Sequence, residues 1–95
     1  MAQNDILSCL RARKKELQDK FTVRRIGVFG SHARGDADLH SDVDVLVELD
    51  QPTFDHYMDL KFFLEQLFNA NVDLVMADTV KPRLRPYINQ EVVYA

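Results

Sequence analysis

Three aspartates and a glycine–serine pair are the residues whose types and spacing could do chemistry in this chain. Asp42 and Asp44 stand two apart in DVDVLVEL, Asp73 sits in NVDLVM, and Gly30-Ser31 follow the apolar run TVRRIGVF. In a strand, residues i and i+2 project to one side about 6.6 to 7 Å apart at the backbone. Two carboxylates so placed can grip one or two magnesium ions, which take carboxylate and phosphate oxygens, paired ions lying about 3.5 to 4 Å apart. A lone Asp-x-Asp is ordinarily just the polar side of a half-exposed strand. Asp73 changes that reading, because neighbouring strands would bring three acids to one face, where they repel unless a cation compensates them. Gly30 allows a tight turn and close approach to a ligand, and Ser31 offers its hydroxyl and nearby N–H groups to a phosphate. Arg34 can add a charge-assisted hydrogen bond to phosphate or pair with one of the aspartates.

Commoner motifs fail on particular residues. GSHARGDA has the glycine spacing of a P-loop, but Asp36-Ala37 stand where Lys and Ser or Thr are required. Read from Asp36 as a calcium loop, the segment has Ser41 at the required glycine and Val47 at the closing glutamate. His32, His40 and His56 lack the pairing of a zinc site and read as loop or surface histidines, with His32, beside Ser31, the exception if there is one. Ser31 and His32 are adjacent, which rarely lets a nucleophile face its base, and no nucleophile elbow is present.

The elements that must position these groups follow from hydrophobic spacing. NDILSCLRARKKELQDKF carries Ile6, Leu7, Leu10, Leu17 and Phe21 at helical intervals and predicts one amphipathic helix capped by Asn4. TVRRIGVFG predicts a strand, SHARGDADLHS a polar turn with one helical turn, and DVDVLVEL a strand with Val43, Val45, Val47 and Leu49 opposite Asp42, Asp44, Leu46 and Glu48. After DQPT, FDHYMDLKFFLEQLFNA predicts a core-facing helix, VDLVMA a short strand, TVKPRLRPYINQ a short proline-punctuated helix, and EVVYA an apolar tail. Arg83 and Arg85 could reach a triphosphate or lie on a solvated helix face. The order is α/β or α+β around a small sheet.

Ninety-five residues predict a single domain, 1–95, with one modest core and little room for a second substrate pocket. At 46% hydrophobic, 28% charged and net charge −3, the composition is that of a globular protein without a broad nucleic-acid surface, so direct nucleic-acid binding is not expected. Arg11, Arg13, Lys14, Lys15, Lys20, Arg24 and Arg25 cluster near the start, either as a solvated helix face or toward an anionic partner. Cys9 is the only cysteine, so no internal disulfide forms. Neither a signal peptide nor an apolar run of about 18 residues is present, which predicts a soluble cytoplasmic protein with no membrane contact.

Gly30-Ser31, Ala33-Arg34-Gly35, Ser41-Asp42-x-Asp44 and the later Asp73 together resemble the signature of the DNA polymerase β-like nucleotidyltransferase superfamily. The resemblance is closest to its minimal single-domain members, the MNT antitoxins paired with HEPN-domain toxins, and runs from about Val23 to Met76. It implies a small mixed β-sheet flanked by helices. It also implies that Gly30 and Ser31 hold a nucleoside triphosphate, with ATP favoured, and that Asp42 and Asp44 hold two Mg2+ ions. Asp73 would complete one metal site and help deprotonate the acceptor. The implied reaction is transfer of a nucleotide, usually AMP, to a hydroxyl on a HEPN toxin within a hetero-oligomer. A second expectation retains the fold but neutralises the partner by binding alone, and a third, transfer to an aminoglycoside-like molecule, needs a helical domain this sequence lacks. Phe54, Tyr57, Phe62, Phe63 and Phe68 are aromatic surplus, for the core or for a partner interface.

Overall fold

The computed structural model describes residues 3–35 and 42–95. Asp36, His40 and Ser41, named in the motifs above, lie outside the described residues. Helices α1 (Gln3–Ala12) and α2 (Lys14–Phe21) lead to strand β1 (Val23–Phe29) and the single turn α3 (Ser31–Arg34). Then come β2 (Val43–Leu49), the long α4 (Phe54–Phe68), β3 (Val72–Met76), a 3-10 turn (Ala77–Thr79), α5 (Arg85–Glu91) and β4 (Val93–Tyr94).

The four strands form one mixed sheet in the order β3-β2-β1-β4. β1 runs antiparallel to both β2 and β4, and β2 runs parallel to β3. A parallel pair cannot be closed by a tight turn, and α4 supplies the crossover it needs. The alternation of β2 decides which face is covered. Val43, Val45, Val47 and Leu49 join Ile6, Leu10, Leu17, Leu60 and Leu64 in one core between the sheet and α1, α2 and α4. Burying each such side chain fully is worth roughly 1.5 to 3 kcal/mol, so this face anchors the sheet. Asp44, Leu46 and Glu48 point to the other face.

α4 starts where predicted, with Thr53 Oγ1 accepting from the His56 backbone N–H at 3.1 Å. It ends at Asn69, which adopts the left-handed conformation with φ 50°. The aromatic surplus divides: Phe68 is in the core, Phe63 packs on Phe21 with centroids 5.2 Å apart, and Phe54 and Phe62 are exposed.

The sequence predicted one N-terminal helix, and there are two. Arg13 breaks it with φ −108° and ψ 12°. The cause is in the spacing: between Leu10 and Leu17 the stripe meets only Arg13 and Lys14, so no buried side chain holds a continuous helix across that point. Asn4 falls inside α1 and is not its cap. The apolar tail also differs from expectation, since Val93 and Tyr94 form a fourth strand paired with Val28 and Gly27.

Candidate active site

The topology brings the singled-out residues to one end of the sheet. Gly30 and Ser31 follow the last residue of β1. β2 is antiparallel, so its first residues return to that end, with Phe29 opposite Asp44. β3 is parallel to β2 and begins there too, with Asp44 paired in register with Asp73. Asp42 immediately precedes β2 and is exposed, Asp73 is exposed, and Asp44 is half-buried between them.

Gly30 has two physical reasons to be glycine. Its φ of 72° with ψ −148° lies where side chains are rarely tolerated. A Cβ built on it would also run into the Asp44 carboxylate. That carboxylate is therefore seated against the turn, and the turn is closed by the Arg34 N–H donating to the Gly30 carbonyl at 3.0 Å. Arg34 Nη1 in turn donates to Glu91 Oε1 at 3.0 Å, tying α3 to the end of α5.

Burial holds the Asp44 pKa above its ordinary value, and the charges of Asp73 and Asp42 raise it further, while His32 and Arg34 pull it down. A half-buried acid beside two others is a site that gains from a cation. His32 is not the surface histidine the sequence predicted: it is 4% exposed, and its Nδ1 has no hydrogen-bond partner among the described residues. The one-turn helix turns its ring inward, an orientation that adjacency to Ser31 could not reveal. His56, by contrast, lies at the α4 N-terminus with Nδ1 2.8 Å from the Gln51 carbonyl, away from the acids.

No three His, Cys, Asp or Glu side chains among the described residues close around a metal-sized space. The donor set nonetheless fits magnesium. Carboxylate oxygens are the hard ligands it prefers, and it is typically held by one or two carboxylates with substrate phosphates and water completing the shell. Asp44, seated on a turn that can receive those phosphates, has that character.

Two contributions were missed in the sequence reading. Gly27 lies mid-strand, and a Cβ there would meet Val92, Tyr94 and the Val93 carbonyl at 2.8 to 2.9 Å, so its bareness lets β4 close on β1. An isolated glycine inside a strand was the available signal. Glu91 as the partner of Arg34 had no such signal, because the two are 57 residues apart.

Comparison with known proteins gives the chain its family and its fold. A family model described as a nucleotidyltransferase domain matches residues 10–95. Protein adenylyltransferase MntA of Thermococcus cleftensis is 45% identical over 91 residues, which cover 95% of this chain and 92% of that protein. A solved structure assigned as a minimal nucleotidyltransferase superposes with a TM-score of 0.74 at 36% identity, covering 92% of this chain and 93% of the other. The fold is shared as well with the complex of tri-AMPylated Shewanella oneidensis HEPN toxin and MNT antitoxin, at a TM-score of 0.62 and 20% identity, over 97% of this chain and 66% of that one.

Proposed function

This chain belongs to the nucleotidyltransferase domain family, and we propose that it transfers AMP from ATP to a hydroxyl on a partner protein, a HEPN toxin, as its antitoxin. The observation that carries this reading is the register of Asp44 with Asp73 beside a turn whose Gly30 leaves room for the Asp44 carboxylate. The name of the 45% identical relative supports protein as acceptor and AMP as the group moved. The HEPN partner is supported by the toxin–antitoxin complex that shares the fold.

Ser31 and the adjacent backbone hold the triphosphate. Asp42 and Asp44 would hold two Mg2+ ions with Asp73 completing one site, and such ions neutralise the charge that develops on the attacking and leaving oxygens. Asp73 takes the proton of the acceptor hydroxyl. The acceptor oxygen then bonds to the α-phosphorus as the bond to the β-phosphate oxygen breaks, and pyrophosphate leaves. Residues 1–95 act as one domain, and the acceptor brings its own surface to it. Among the described residues, no helix is long and apolar enough to cross a membrane. We place the reaction in the cytoplasm.

The test is intact-mass spectrometry of the co-purified partner after incubation with Mg2+ and each nucleoside triphosphate, using wild type and Asp44→Asn. One or more AMP additions with wild type alone are expected. A complex that forms and inhibits the partner without any mass gain would replace this reading with neutralisation by binding.

A further inference from the structure

The antiparallel register of β4 on β1 carries a further acid to the end of the sheet where Asp44 and Asp73 lie. Val28 pairs with Val93 and Gly27 with Tyr94, and two residues on from that register stand Gly30 after β1 and Glu91 before β4. Glu91 therefore flanks the glycine–serine turn on the side away from β2. It takes no part in the reaction derived above, and its carboxylate is turned to Arg34, with Nη1 and Oε1 3.0 Å apart.

Arg34 is four residues on from Gly30, and its N–H bonds the Gly30 carbonyl, so within the helical turn it stands over that glycine. The Asp44 carboxylate is seated against the same glycine. Arg34 thus has a carboxylate to either side, Asp44 toward β2 and Glu91 toward β4. Burial raises the Asp44 pKa, and the Arg34 charge is among those that pull it back. A guanidinium drawn fully onto Asp44 would form a charge-assisted pair with it. A magnesium ion needing the same oxygens would then have to displace that pair in order to bind.

Glu91 has a physical reason to hold the cation on its own side. It is the last residue of α5, where the helix dipole places partial negative charge, and the last turn of α5 carries no basic residue. A carboxylate at that position is disfavoured until a cation offsets it. Arg34 answers the charge of Glu91 and of the helix end together, which gives this pair more weight than an isolated ion pair at the surface has. We propose that Glu91 is a positioning residue for the metal site: it draws Arg34 to the β4 side of the turn and so keeps Asp44 open to Mg2+. The proposal rests on the metal-dependent transfer reading above and concerns which cation the acids receive.

The experiment follows the thermal midpoint of the full chain, without nucleotide, as Mg2+ is added to wild type, to Glu91→Gln, and to the double variant Arg34→Gln with Glu91→Gln. Both side chains are partly exposed, so the uncharged amides leave the fold in place. Glu91→Gln releases Arg34 toward Asp44, and its apparent Mg2+ affinity is expected to fall about two- to fivefold, the weight of one exposed ion pair. Removing Arg34 as well takes away the competing cation, so the double variant should bind Mg2+ at least as tightly as wild type. Wild-type affinity in Glu91→Gln would overturn the proposal. Equal weakening in both variants would overturn it too, because a pair that merely holds α5 in place gives that result. A wild-type midpoint that does not respond to Mg2+ would overturn the metal reading itself, and this proposal with it.

Discussion

Burial, reinforced by the charges of Asp73 and Asp42, raises the Asp44 pKa in the folded chain, and the sign of that shift determines how stability responds to pH. Because the folded state binds this proton more tightly than the unfolded state, ionised Asp44 opposes folding at neutral pH, and the opposition fades as pH falls through the folded value toward 3.8. Asp44→Asn should therefore melt higher than wild type without metal at pH 7, with the gap closing in acid, while losing transfer. Thermal melting from pH 3 to 8 reads this, and a gap that widens in acid would refute it. Mg2+ should raise the wild-type midpoint and leave the variant unmoved. Gly30→Ala should cost about 1–3 kcal/mol in urea unfolding from backbone strain alone, and more because the Asp44 carboxylate must move. At this scale the acids and the glycine–serine pair were visible as types and spacing. The inward turn of His32 was not, because one helical turn carries too few residues to display a periodicity.

Between elements, α4 is fastened to β3 on both sides of Asp73. Tyr57 Oη donates to the Leu74 carbonyl at 2.7 Å, and Glu65 Oε2 accepts from the Val72 N–H at 3.2 Å. Tyr57→Phe should cost about 0.5–1.5 kcal/mol, the net worth of one hydrogen bond, rising toward 3 if the carbonyl is left dry. Urea unfolding gives the cost, and hydrogen exchange should show the loosening in β3 and not in β1. Gly27→Val should cost about 1–3 kcal/mol by overpacking and should release β4, seen as faster exchange at the Ala95 amide, which donates to the Ile26 carbonyl at 2.9 Å. β2 and α4 were legible because alternation and a wide apolar stripe each demand one geometry. β4 was not, since two residues show no period and their pairing depends on a partner far back in the chain. The break at Arg13 was legible in principle as a gap in the stripe, which the continuous helical reading passed over.

Over the whole molecule, the core lies on one side of the sheet and the acids and glycine–serine turn on the other, so folding is expected not to depend on a metal. Chelation with EDTA should lower the melting midpoint by only a few degrees and leave a single cooperative transition. A chain that unfolds on chelation would show that the ion is structural. A small sheet was foreseeable from element order and its mixed character from the family resemblance, whereas the contact of Arg25 with Tyr94 was not, because the two are 69 residues apart. The sheet order leaves β3 at an edge among the described strands. Three of its outward backbone groups are nonetheless engaged: Glu65 accepts from the Val72 N–H, Tyr57 donates to the Leu74 carbonyl, and Thr79 Oγ1 donates to the Met76 carbonyl at 3.0 Å. An open edge recruits strands from other molecules, and side chains that occupy its hydrogen-bonding groups deny them that template. Those three side chains should therefore make Val72-Asp73-Leu74-Val75-Met76 a poorer seed for fibres than a bare edge of the same sequence.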